Sequence, residues 1–466
     1  MERERRVSEK NLAEQVAAMV VETEYRDIPE ERIEIAKLAM IDITGNIIAG
    51  SGQDGVQAVR ELAKEKEARG EATILIYGDK VLLEDAALVN SVMARALDFG
   101  HAGVRRPGTA IIAGQHISES AVPAAISLGE AFHKSGKEVL TALVVGTDVG
   151  VRVGISANTE GGWDATGVST PFGITAMAGK LMGLNKEQMT NAFGIVLNMV
   201  SGTWQCNRDG VLMVRMNSGW ASKIGIEAAK MARKGITGVK DAFGSDLGYF
   251  NLFYPGQFDV GWLVKDLGKE FHGEFVFKLY PSCGCNMTPI DSLLALMEEH
   301  DDIVPANVKE IRPHLSTFAY NHLGGEYDPA TATKASAQFN IRYNLATTLL
   351  RGWPTMAHFD ADARKDADVA ALTQRVKPFL FERAKNELHS TLEVELKDGT
   401  VYTKEAEVSR GDVQFVTREQ IVEKYMGLVA YPEIALPKAN TDKILELVTN
   451  LEVVDDVSVL IPLSVA

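Results

Sequence analysis

Cysteine is scarce: the 466 residues contain three, Cys206, Cys283 and Cys285. That is too few for a disulfide framework, and a reducing, cytoplasmic setting is the expectation. Positive charge is also short. Lysine and arginine number 48 against 63 aspartates and glutamates, a formal net charge of -15, and no basic block follows the short ERERR start, so nucleic acid is a poor partner. The opening MERERRVSEKNLAEQ has no apolar leader and reads as a charged tail entering a helix. The most apolar run, VLTALVVGTDVGVRVGI, is interrupted by Asp148 and Arg152, which predicts a buried helix and no membrane span. There is no Walker A loop and no Rossmann fingerprint with its acidic partner, which argues against a nucleotide cofactor. Cys283-Gly284-Cys285 is too closely spaced for a zinc pair, which takes about two to four intervening residues and four ligands in all. An iron–sulfur dehydratase would need three well-placed thiolates, and no such motif is recognisable. Neither a metal nor a cofactor is expected, and no internal repeat or low-complexity tract is found.

What is present is ordinary for a globular enzyme: 46% hydrophobic and 24% charged residues, with length enough for two or three domains. Helical periodicity runs through residues 10–26, 30–50, 54–68, 83–97, 119–133, 137–158, 170–183, 186–200 and 218–234, interrupted by a β-like run, ATILIYG. Gly146, Gly150 and Gly154 recur on one helix face. Glycines inside a helix cannot cradle a phosphate, so close packing against a neighbouring helix is their expected use. Near residue 270 the pattern changes. EFVFKLY and VKEIRPHLSTFAY read as strands, TPIDSLLALMEEH and KASAQFNIRYNLATTLLRG as helices, and STLEVELKDGTVYTKEAEV as a hairpin turning at Asp398-Gly399. TREQIVEKYMGLVA and NTDKILELVTNLE are helical again. The predicted fold is mainly α with an α+β part: a large helical domain from residues 1–272 and 412–466, with a smaller α+β domain, 273–411, inserted in it.

Residues 90–123, NSVMARALDFGHAGVRRPGTAIIAGQHISESAVP, hold the densest set of reactive side chains. Asp98, His101, Arg105, Arg106 and His116 arrive among glycines and a proline, between one helical run ending near Leu97 and another capped around Ser118–Ser120 with Pro123 in its first turn. Singly, each has an ordinary use: Asp98 as a turn cap, the arginines solvated, the histidines as surface or core polar groups. Together they supply an acid, two imidazoles and two guanidiniums.

The segment NSVMARALDF resembles the "N…AHALDFDD" stretch of the MmgE/PrpD family, and His116 with ISESAVPAA resembles its "H…vlPAalalaE" stretch. DITGNIIAGS, GKEVLTALVVGTDVGVRVG, GWDATGVSTPFG, SGWASKIGIEAAKMARKGITG, FKLYPSCG and KASAQFNIRYNLATTLLRG match further family stretches in order and cover most of the chain. The family includes dehydratases, decarboxylases and an epimerase of small carboxylates. The resemblance implies the same helical domain with an inserted lid, an active site in their cleft, and a homodimer.

The chain departs from the pattern at several positions. Asp164 stands where the family generally has a histidine; it can serve as a base if burial raises its pKa, or equally as a helix cap or hydrogen-bond anchor. Val214 and Asn217 replace a lysine and a histidine. Arg215, adjacent, restores positive charge as a carboxylate clamp and not as a base, and a helix N-terminus near Ser218 is an alternative anion site. Gly284 and Met287 replace an arginine and a histidine, whereas Lys278 and Tyr280 match "K.YPSC" as substrate-binding candidates. Tyr320 falls where the decarboxylase branch places an active-site tyrosine, and lid packing is the other use of both tyrosines.

Dehydration, decarboxylation and epimerisation beside a carboxylate all build negative charge on carbon. They require a tuned base, an acid, and cations on the carboxylates. The expectation is a cofactor-independent lyase of a small di- or tricarboxylate. His116 would be general acid/base, Asp98 would assist it, and His101, Asp164 and Tyr320 are further catalytic candidates. Arg105, Arg106, Arg215, Asn217, Lys278 and Tyr280 are the substrate-binding set. An epimerase using the same carbanion logic is the rival reading, and a degenerate ligand-binding relative a third.

Overall fold

Helix makes up 54% and strand 10% of the protein, the mainly α composition with an α+β part that the periodicity predicts. The computed structural model describes residues 11–109, 112–158, 161–432 and 434–466. The chain forms two units, one from the described chain up to Gly100 with Ala113–Gly273 and Ile421–Ala466, the other from His101–Ile112 with Glu274–Gln420.

The first unit is helical. Two of its helices, Glu30–Gly50 and Gly136–Ser156, are buried along nearly their whole length, as helices apolar on every side must be. Gly136–Ser156 is long and apolar enough to span a membrane, yet its apolar stretch is buried inside the protein. Its two charges satisfy each other: Arg152 Nε is 2.8 Å from Asp148 Oδ2, with both side chains inaccessible. The remaining Arg152 donors reach the carbonyls of Lys265 (2.6 Å) and Glu270 (2.7 Å), and the His272 amide donates to Asp148 (2.7 Å). The glycine stripe is a packing surface, as expected. A Cβ at Gly146 would lie 2.7 Å from Met177 Cβ, one at Gly150 2.4 Å from Ile117 Cδ1, and one at Gly154 2.5 Å from Gln115 Oε1. The helix start at residue 136 is fixed by a capping box, Ser135 with Glu138.

Three local expectations are corrected. The helix placed at 218–234 begins at Met213, so Ser218 is interior and its N–H belongs to the helix ladder, not to an anion site. ATILIYG is a strand only at Ala72–Thr73, paired with Lys80–Val81, because Ile76 turns the chain at φ 69°. The helix after His116 starts at Ser118, which puts Pro123 beyond the first turn.

In the second unit, His101–Arg105 is a strand antiparallel to Phe275–Phe277, whereas its glycines and proline point to irregular chain. A separate sheet has the order Phe379–Leu380, Val308–Leu315, Ser390–Leu396, Val401–Ala406, with the first pair parallel and the rest antiparallel. Ser390–Leu396 alternates buried with half-buried residues. One face therefore packs under helices that include Met287–Glu299 and Ile341–Arg351. The hairpin turns where expected, with Gly399 at φ 93° and the Asp398 carboxylate accepting the Thr400 amide at 2.9 Å. The strand expected through Tyr320 stops at Leu315. Ser316 caps a new helix, Thr317–Leu323, by accepting the Ala319 amide at 3.2 Å. The single helix expected across 334–352 is two, Lys334–Gln338 and Ile341–Arg351, the second capped by Asn340, whose side chain accepts the Tyr343 amide at 3.0 Å.

Candidate active site

Within the helical unit, four chain segments bring buried polar side chains together. Leu83–Arg95 ends in a turn whose last residue, Asp98, has φ 52°, the left-handed region that aspartate tolerates better than most residues. The Asp98 amide donates to the Arg95 carbonyl at 3.2 Å while its carboxylate pairs with the Arg95 guanidinium. Burial works against the charge on Arg95, but the carboxylates of Asp98, Glu119 and Asp164 outweigh it and hold its pKa above the ordinary value. Arg95 is thus the common neighbour of three acids.

His116 lies in the second segment, ahead of Ser118–Phe132. Its backbone N–H donates to Thr166 Oγ1 (3.1 Å), and the preceding Gln115 side chain donates to Gly150 O (3.0 Å) and Thr170 Oγ1 (3.2 Å). The imidazole Nδ1 sits 3.4 Å from Oε1 of Glu119, one helical turn on, whose carboxylate is inaccessible to solvent. A Cβ at Gly100 would lie 2.3 Å from that same Oε1. The turn after Asp98 therefore rests directly on the acid that faces His116, which only a glycine permits.

Asp164, in the third segment, caps Ala165–Val168 by accepting the Thr166 amide at 2.9 Å. Its other oxygen accepts from Asn217 at 2.6 Å, so the two departures from the family pattern are partners. Asn217 Nδ2 is also 3.7 Å from Cys206 Sγ; burial, with Asp164 nearby, pushes that thiol up. On the same helix Arg215 donates to the Asp54 carbonyl at 2.6 Å. Burial, then repulsion from Arg95, lowers its pKa against the pull of Asp54 and Asp98.

Behind the Asp98 turn, Lys424 Nζ is 2.6 Å from Asp42 Oδ1. Burial pushes the Asp42 carboxyl up to about 6; Lys424 pulls it down, and Glu119 pushes it further up.

Of the residues singled out from sequence, the structure gathers Asp98, His116, Asp164, Arg215 and Asn217 in this unit. The others lie in the second unit. His101 is fully buried, its Nδ1 3.3 Å from Gly103 O and its ring 4.9 Å from that of Phe275. Arg105 is held by both oxygens of Asp412 at 3.0 and 3.3 Å, a fork-on-carboxylate pairing that occupies the group expected to clamp substrate. Arg106 and Lys278 are buried. Tyr280 donates to Asp291 at 2.7 Å, and its pKa is raised by burial and by that carboxylate. Tyr320, on Thr317–Leu323, is 38% exposed.

Sequence reading missed Arg95, Glu119, Asp42 and Lys424. The signal for two of them was spacing: Arg95 precedes Asp98, and Glu119 follows His116, by three residues, the separation at which side chains one turn apart meet. Among the described residues, one trio has metal-ligand geometry, His389, Glu405 and Glu407. Its groups are already engaged. His389 Nδ1 accepts the Lys385 amide at 3.0 Å, leaving Nε2 to donate to Glu405 at 2.8 Å, and the Lys385 ammonium pairs with Glu407. The three cysteines are buried and form no disulfide.

Comparison with known proteins finds similarity along most of the chain. A family model described as the MmgE/PrpD N-terminal domain matches residues 14–260, and one described as the MmgE/PrpD C-terminal domain matches residues 280–452. Cis-aconitate decarboxylase of Aspergillus terreus (strain NIH 2624 / FGSC A1156) is 24% identical over 464 residues, covering 94% of this chain and 92% of the relative. Cis-aconitate decarboxylase-like protein oryM of Aspergillus oryzae (strain ATCC 42149 / RIB 40) is 25% identical over 482 residues, 98% and 97%. Cis-aconitate decarboxylase of Homo sapiens is 23% identical over 476 residues, 97% and 94%.

Proposed function

Since the chain belongs to the MmgE/PrpD family and is an enzyme with lyase-like activity, we propose that it decarboxylates a small unsaturated tricarboxylate of the cis-aconitate class, without a cofactor. The observation that carries this is the His116–Glu119 pair, an imidazole 3.4 Å from an inaccessible carboxylate, beside the Arg95–Asp98 pair. Glu119 faces the Nδ1 side of the ring, which leaves Nε2 to exchange a proton with substrate. When the bond to the leaving carboxylate breaks, its electron pair stays on the adjoining carbon, and His116 delivers the proton that quenches it. Arg215, half-buried on the helix that carries Asn217, supplies positive charge for a retained substrate carboxylate. The resemblance to the family and the scarcity of cysteine extend this proposal to a cytoplasmic homodimer.

Asp164 favours a second reading. It is a further oxygen base in the same cluster, and with His116 it would allow proton removal and return at one carbon, as in an epimerase. The test is incubation of the purified enzyme with cis-aconitate in deuterated water, following carbon dioxide and product by NMR. Release of carbon dioxide with one deuterium in the product, lost on His116→Gln by about 1000-fold or more, supports the decarboxylase. Deuterium exchanged into an otherwise unchanged acid, with no carbon dioxide released, would count against the lyase and favour the proton-exchange reading.

A further inference from the structure

The turn that carries Asp98 is held from behind by a lysine more than three hundred residues away in sequence. Lys424, on the helix Arg418–Val429, has a side chain 4% exposed. Its ammonium donates to the Phe99 carbonyl and, at 3.4 Å, to the Gly100 carbonyl. It lies 4.2 Å from the centre of the Phe99 ring and pairs with Asp42 at 2.6 Å. Asn46, one turn beyond Asp42 on Glu30–Gly50, donates to the Phe99 carbonyl at 3.3 Å and to Asp42 Oδ1 at 3.0 Å. A left-handed turn that points two carbonyls into a protein interior needs donors to receive them. An ammonium, with three donors on a flexible stem, can serve two carbonyls and a carboxylate at once.

We propose that Lys424 is a positioning residue of the active site: from the C-terminal segment it fixes the Asp98-Phe99-Gly100 turn, so that Asp98 meets Arg95 and Gly100 lies against Glu119, the partner of His116. This rests on the reading of Asp98 and His116 as the site of chemistry. Lys424 touches neither His116 nor any reacting atom in this scheme. Asp42 and Asn46 complete the support, and the path from lysine to imidazole runs through backbone carbonyls, Gly100 and Glu119.

The role is separable from that of a mere counter-ion. Lys424→Met leaves Asp42 buried without its ammonium and is expected to lower stability. The double variant Asp42→Asn/Lys424→Met removes both charges and is expected to recover that stability, but it cannot restore an ammonium to the two carbonyls. Amide hydrogen exchange by mass spectrometry over residues 96–101 is the direct measurement. In both variants it is expected to rise about 10-fold or more over wild type, with the helix Thr170–Leu181 unchanged. With cis-aconitate as probe, kcat is expected to fall about 100-fold with little change in KM. Wild-type protection of residues 96–101 in the double variant would overturn the proposal and reduce Lys424 to neutralising Asp42. Should Lys424→Met not fold, the double variant alone decides. Should wild type fail to turn over cis-aconitate, the functional reading fails while the exchange result still judges Lys424.

Discussion

Glu119 and Tyr280 make similar-looking buried polar contacts to which the proposed mechanism gives different roles, chemistry for one and support for the other. Glu119 faces the one imidazole of the cluster and is touched by the Gly100 backbone. Glu119→Gln keeps its shape but replaces the carboxylate facing the ring with a neutral amide. Turnover is expected to fall about 100-fold while far-ultraviolet circular dichroism is retained; an undiminished rate would remove Glu119 from the mechanism. Tyr280 instead donates its hydroxyl to Asp291, which also accepts the Arg410 amide at 2.9 Å. Tyr280→Phe leaves a buried carboxylate short of a donor, with a stability cost of about 1–3 kcal/mol and a rate close to wild type. A stable but inactive variant would move Tyr280 into the site. His116 and Asp98 were visible in sequence because they stand among glycines outside the regular periods. Arg95 and Glu119 were not, since a charged residue inside a helical run reads as solvent-facing until its burial is known.

Helices set the precision of the site, and the glycine face of Gly136–Ser156 is where this can be measured. Gly150 lets Ile117 approach, and Gly154 lets Gln115 approach, on either side of His116. Gly146→Ala would force a methyl to 2.7 Å from Met177 Cβ and 2.8 Å from the Gly173 carbonyl oxygen, so it is expected to cost about 1–3 kcal/mol of stability. Gly52→Ala, with nothing within 4 Å, is the matched control. Equal thermal midpoints for the two variants would refute the packing argument. At this scale the periodic pattern was reliable for long helices and weak at their ends. Ser316 and Asn340 ended or restarted elements by capping, a local competition between side chain and backbone that apolar spacing does not encode.

For the whole molecule, stability against pH has a component traceable to Asp42. Its folded-state pKa of about 6 is above the usual 3.8, so the folded state holds the proton more tightly than the unfolded chain does. That contribution is complete below the unfolded value and is lost as pH rises through about 6; a shift of roughly two units corresponds to about 3 kcal/mol. The stability of wild type relative to Asp42→Asn is therefore expected to decline by up to that amount between pH 4 and pH 8, read from denaturation midpoints across the range. A gap that does not vary with pH would show that Asp42 is ionised throughout. The formal charge of -15 acts on the same variable without locating anything, because net charge governs solubility and self-repulsion and carries no position.

By itself the sequence determined the class of fold and the family, and it marked the stretch densest in reactive side chains. Hydrophobic period, turn residues and short motifs are local properties, each written in adjacent residues. Only the tertiary structure decided that Asp164 and Asn217 are bonded to each other and that Arg105 is already held by Asp412. It also decided that a lysine at position 424 supports a turn at position 98. Those facts depend on which buried donors and acceptors find one another across the folded core, and the need to satisfy every such group acts over the whole chain at once.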